Sequence, residues 1–95
     1  MKLFLDDERP CPEGWTLART FEEAVQLLNE GNVTAVSLDH DLGTERTGYD
    51  LASLLEEAAF CGLETPEELF CHSANPVGRS RIEACFSTIR RIRCA

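Results

Sequence analysis

A chain of 95 residues, 43% of them hydrophobic, supports one small core and little more, so residues 1–95 are expected to form a single domain. No apolar run approaches the roughly 20 residues that span a bilayer, and because Met1-Lys2 leads straight into an apolar stretch no signal peptide is expected. The net charge of −8 argues against broad duplex binding, which needs a cationic surface; residues 79–95, with five bases and one acid, are the basic exception.

Five cysteines (Cys11, Cys61, Cys71, Cys85, Cys94) are an odd number without CxxC spacing, which suits free thiols and a reducing compartment. The expected location is cytoplasmic. Cys71 and Cys85 fall at apolar positions, where cysteine packs as a small hydrophobe.

In chain order, Lys2 to Leu5 reads as a first strand that runs into Asp6-Asp7-Glu8-Arg9. Pro10 and Pro12 break any continuation, because each lacks an amide donor and fixes φ. Trp15 to Arg19 reads as a short second strand. Thr20 followed by Glu23 has the spacing of a capping box, and Phe21, Ala24, Val25 and Leu28 form the apolar face of the first helix. Gly31 supplies its stop.

Thr34 to Leu38 is the third strand, ending in Asp39-His40-Asp41 and a turn at Gly43. A second helix runs from about Gly48 to Cys61, with Leu51, Leu54, Leu55, Ala58 and Ala59 as its stripe and Gly62 as its end. Leu69 to His72 is the fourth strand. Asn75-Pro76 is a favoured helix start, and Ile82, Cys85, Phe86, Ile89 and Ile92 form the buried side of the last helix.

This order, β-β-α-β-α-β-α, predicts a parallel or mostly parallel sheet covered by helices. Right-handed crossovers then bring the ends of strands one, three and four to one edge, where open α/β sheets bind ligands. Asp6, Asp7, Asp39, Asp41, His72 and Ser73 are expected to converge there.

Asp6, Asp7 and Asp39, with Asp41 in reach, make an oxygen-rich cluster suited to Mg²⁺ or Mn²⁺. Crowded carboxylates repel, and a divalent cation removes that conflict. His40 and His72 are candidate general acid–base groups, since histidine titrates near neutral pH. Ser73, Asn75 and the start of the last helix, with Arg79 one turn on, offer dipole and donors to a phosphate. Each feature has a plainer reading: Asp pairs build turns, Asn-Pro starts helices, Ser bonds to backbone, and arginines are commonly solvated. Their coincidence at three strand ends is what argues for a site.

These residues resemble the response-regulator receiver pattern, in Asp6-Asp7, Asp39, Gly48-Tyr49-Asp50-Leu51 and Ser73-Ala74. They are closer still to a compact group, the cyclic-phosphate-processing receiver domains. The matching motifs are Leu5-Asp6-Asp7-Glu8-Arg9-Pro10, Ser37 to Gly43, Thr47-Gly48-Tyr49-Asp50 and His72-Ser73-Ala74-Asn75-Pro76. The resemblance implies a receiver-like (flavodoxin-like) three-layer α/β sandwich with four mostly parallel strands and three helices, lacking the usual first helix and fifth strand. It also implies a metal-dependent site acting on a cyclic phosphate, carried by a phosphorylated small molecule, a nucleotide or an RNA terminus. The phosphate-contacting lysine of ordinary receivers has no counterpart, because the only lysine is Lys2 at the far end of strand one. Its loss and the gain of two histidines favour hydrolysis over phospho-signalling. Asp39 is then either a ligand for the cation or the attacking nucleophile. The rival expectation is a non-catalytic module that binds a phosphorylated ligand or a partner protein.

Overall fold

The computed structural model describes residues 1–94. Seven elements follow in order: β1 (Lys2–Leu5), β2 (Thr16–Ala18), α1 (Phe21–Glu30), β3 (Ala35–Leu38), α2 (Gly48–Phe60), β4 (Glu68–Cys71) and α3 (Pro76–Cys94). The strands form one sheet in the order β2-β1-β3-β4, and every pairing is parallel. Trp15 and Arg19 fall outside the second strand, and His72 lies one residue past the fourth.

Local sequence explains the helix ends. Thr20 Oγ1 accepts the Glu23 N–H at 3.1 Å, the expected N-cap. The Glu23 carboxylate accepts from the Arg19 N–H, one residue earlier than a standard capping box would have it. At α2, the Thr47 N–H donates to Asp50 Oδ2 at 2.7 Å, so the Thr-Gly-Tyr-Asp motif is a helix start in physical terms. Gly31 and Gly62 take φ of 85° and 77° beyond the helix ends, a region open to glycine without strain.

The core joins all three helices to one face of the sheet. Leu3, Leu5, Val36, Leu38, Leu69 and Cys71 point into it from the strands. Ala24, Leu51, Ala52, Leu55, Ala59, Ile82, Cys85, Phe86 and Ile89 meet them from the helices. Leu54, expected in the α2 stripe, is 39% exposed, while Ala52 takes a core position.

The opposite face has no helix among the described residues. Strand alternation puts Phe4, Leu17, Ser37 and Phe70 there, in one register row. Phe4 is nonetheless only 7% exposed. The Trp15 ring lies edge-on to it at 6.3 Å, and the His72 ring stacks on it at 4.4 Å and 4°. The expected third layer is thus reduced to these aromatic side chains, a direct consequence of the proline-broken segment that stands where a first helix would be.

Candidate functional site

The site begins where the parallel ladder overruns the strands by one residue. The Asp6 N–H donates to the Ala18 carbonyl, the Asp39 N–H to Leu5 and the His72 N–H to Leu38, at 3.1, 2.9 and 3.1 Å. These bonds fix three chemically active residues in a single row along the C-terminal edge of the sheet. One carboxylate oxygen from each of Asp6, Asp7 and Asp39 lies within 4.8 Å of the other two.

Asp6 is almost completely buried. Burial pushes its carboxyl up, but the Arg9 and Glu8 N–H groups on Oδ1, at 2.9 and 2.8 Å, and the His72 ring on Oδ2 outweigh that, holding it below the ordinary aspartate value. His72 Nε2 sits 3.0 Å from Asp6 Oδ2, and Nδ1 sits 2.7 Å from Ser37 Oγ. An ionised carboxylate only accepts, so Nε2 carries the proton and Ser37 donates its hydroxyl hydrogen to Nδ1 in the neutral ring. Both nitrogens of His72 are therefore engaged, and its immediate effect is to orient and stabilise Asp6.

Asp39 Oδ1 accepts the His40 N–H at 2.9 Å, while Oδ2 makes no hydrogen bond among the described residues. His40 Nδ1 pairs with Asp41 Oδ1 at 3.0 Å, so its Nε2 retains the lone pair when the ring is neutral. Two glycines hold this segment. A Cβ on Gly48 would come within 1.8 Å of the Asp39 carbonyl oxygen, and one on Gly78 within 2.2 Å of His40 Cγ. The loop after β3 is pressed against the first turns of both α2 and α3, and only glycine fits at either contact.

Asp41 does not join the acidic cluster. Its carboxyl is exposed and held below the ordinary value by its bond to His40 first, then by Asn75, whose Nδ2 donates across 3.3 Å. Asn75 Oδ1 in turn accepts the Val77 and Gly78 N–H groups, both at 3.1 Å, and the Asn75 carbonyl accepts the Arg79 N–H. Ser73 is buried and accepts the Asn75 N–H. The amides at the start of α3 are thus satisfied within the chain. Arg79 is exposed and its side chain makes no hydrogen bond or ion pair among the described residues. Arg90 and Arg93 serve a different end of the molecule: they donate to the Leu69 and Glu67 carbonyls at the start of β4.

The cation beside the cluster is Arg9, in the loop after β1. Its guanidinium donates to the His72 carbonyl at 2.6 Å and lies 3.7 Å from Asp6 Oδ2, with the side chain 46% exposed. Arg19 braces the same loop by donating to the Asp6 and Arg9 carbonyls. The sequence signal was present: an aspartate accepting from the amides two and three residues on makes a tight turn, and that turn returns Arg9 to the sheet edge.

Three carboxylates so close offer the oxygen donors that a hard cation takes. Asp6 keeps about one lone pair after three donors, Asp39 keeps more, and Asp7 carries no internal bond among the described residues. Gly43 (φ 69°) passes close enough that a Cβ there would touch Asp7 Oδ2 at 3.3 Å. A groove of about 1030 Å³ lies elsewhere: it opens at the N-terminal ends of β3 and β4, lined by Leu28, Val33, Leu54 and Leu63.

No helix is long and apolar enough to cross a membrane among the described residues. No curated protein and no solved structure matches the chain. The family model of the cyclic-phosphate processing receiver domain matches residues 1–88, which include the acidic row, both histidines and the start of α3. On that match, over a four-stranded parallel sheet whose C-terminal edge carries Asp6, Asp7 and Asp39, the chain belongs to the cyclic-phosphate-processing receiver domain family.

Proposed function

We propose that this domain is a metal-dependent phosphoesterase that opens a cyclic phosphate on a nucleotide or RNA end. The observation that carries the reading is the row itself. Three carboxylates share one sheet edge within 4.8 Å of one another, and only one of them is tied down by internal donors on both oxygens.

Asp6, Asp7 and Asp39 would hold Mg²⁺ or Mn²⁺. When bound, such a cation neutralises phosphoryl charge and activates water. Arg9, half-exposed beside Asp6, supplies a planar donor fork for a non-bridging phosphate oxygen. His40, with Nδ1–H held on Asp41, has Nε2 left to exchange a proton with the reacting water or the leaving oxygen. The balance is simple. A water oxygen bonds to phosphorus, one ring P–O bond breaks, and the water proton ends on the freed alcohol, leaving a phosphomonoester beside a hydroxyl.

Mass-spectrometric turnover of 2′,3′-cyclic mononucleotides, cyclic dinucleotides and ADP-ribose cyclic phosphate, with Mg²⁺, Mn²⁺ or EDTA, tests this reading. Metal-dependent conversion supports it. A folded protein that binds metal and retains ligand without converting it contradicts it and favours a non-catalytic phosphate-binding module. The specific observation behind that second reading is the internal satisfaction of His72, Ser73 and Asn75.

A further inference from the structure

The sheet face without helices is also the face on which Asp6, Asp39 and His72 fall by strand alternation, in parity with Phe4, Ser37 and Phe70. Phe70 lies two residues before His72 on the same side of the chain, roughly 7 Å along the strand direction. Its ring is 47% exposed and meets the Trp15 ring edge-on at 6.4 Å. Trp15 is itself partly exposed and carries Lys2 Nζ 5.6 Å from its ring centre. Aromatic surface and Arg9 therefore lie beside the acidic row, with Lys2 at the far end of the same face, over Trp15.

We infer that Phe70 and Trp15 form a stacking platform for the base of the substrate, placing the cyclic phosphate at the carboxylate row and the base one sugar away on the open sheet face. This rests on the phosphoesterase reading and adds to it a base-binding subsite: the base itself is held, so a cyclic phosphate of a base-free sugar or polyol is a poorer ligand. Stacking is available to every base because each has a π-face, so the platform gives affinity with little sequence preference. Arg9, beside Asp6, complements the negative charge of such a ligand. A second copy of the chain is a poorer occupant. Phe70 is the one strongly exposed large apolar side chain on the strands of this face, whereas a stable protein interface needs about 800 Å² from each partner.

Trp15 is the only tryptophan, so its fluorescence reports on this face alone. The experiment titrates the full chain with adenosine 2′,3′-cyclic phosphate and, separately, with ribose 2,3-cyclic phosphate, which lacks a base. The expected result is saturable quenching by the nucleotide and none by the base-free ligand. Phe70→Ala and Phe70→Leu should weaken nucleotide binding about tenfold, while Phe70→Tyr keeps it; matching circular dichroism shows that the variants fold. Equal affinity in Phe70→Leu and the parent, absence of quenching, or a dimer that Phe70→Ala dissociates would overturn the platform. Quenching that depends on Phe70 in a protein without turnover would leave the platform standing and remove the phosphoesterase.

Discussion

His72→Phe separates the two things that His72 does. Phenylalanine can keep the parallel stack on Phe4, where the rings lie 4.4 Å and 4° apart. It removes the ring donor to Asp6 Oδ2 and the acceptor for Ser37 Oγ, and both groups are buried. A hydrogen bond to a charged group contributes about 1.5–3 kcal/mol and a neutral one about 0.5–1.5, so the expected loss at pH 7 is about 2–4.5 kcal/mol. That is a large share of the 5–14 kcal/mol typical for a chain of this length.

The pH dependence gives a sharper check. Asp6 titrates below its ordinary value in the fold, so it contributes stability above roughly pH 4, which is lost as pH falls through the folded value. Without the His72 donor, burial is opposed only by the two backbone N–H groups, and the Asp6 carboxyl moves up. The stability gap between parent and variant should therefore be widest near neutrality and narrow as pH falls below the ordinary aspartate value. Urea unfolding followed by circular dichroism at several pH values measures it. A gap under about 0.5 kcal/mol at pH 7, or one that does not change with pH, refutes the role given to His72.

Other consequences are simpler to test. Gly78→Ala forces a methyl group onto the His40 ring and should lower stability by about 1–3 kcal/mol in urea unfolding, with Gly48→Ala at least as damaging because its clash is with backbone. Mg²⁺ at a hundredfold over its dissociation constant should raise stability by about 2.7 kcal/mol, an effect that Asp39→Asn abolishes in thermal unfolding. Arg9→Lys, which loses the planar fork beside Asp6, should raise KM for a cyclic phosphate several-fold in steady-state assays.

Much of the architecture was legible because apolar runs stop abruptly at polar residues. Leu5 to Asp6 and Leu38 to Asp39 mark strand ends directly, and parallel crossovers then dictate that these ends meet. What a one-dimensional reading lacks is the path of each loop. Asp41 follows Asp39 by two residues and was grouped with it, yet the loop turns it towards His40 and Asn75. Asn75 and Ser73 were read both as helix-start residues and as phosphate contacts; the bonds they make are those of the helix start. Ser37 heads the Ser37–Gly43 motif as one polar residue inside an apolar strand, and only the fold reveals that it sets the tautomer of His72. Arg9 was hidden by the prolines that follow it. The missing first helix was anticipated, but its consequence, an aromatic sheet face open beside the acids, needed the register of four strands to be seen.

The most direct test of the central claim compares Asp39→Asn with Asp41→Asn by ³¹P NMR, each variant supplied with Mn²⁺ and a nucleoside 2′,3′-cyclic phosphate. The account predicts that the cyclic-phosphate resonance gives way to a monoester resonance in the parent and, more slowly, in Asp41→Asn, and persists in Asp39→Asn and in EDTA. Undiminished conversion by Asp39→Asn, or loss confined to Asp41→Asn, would contradict it.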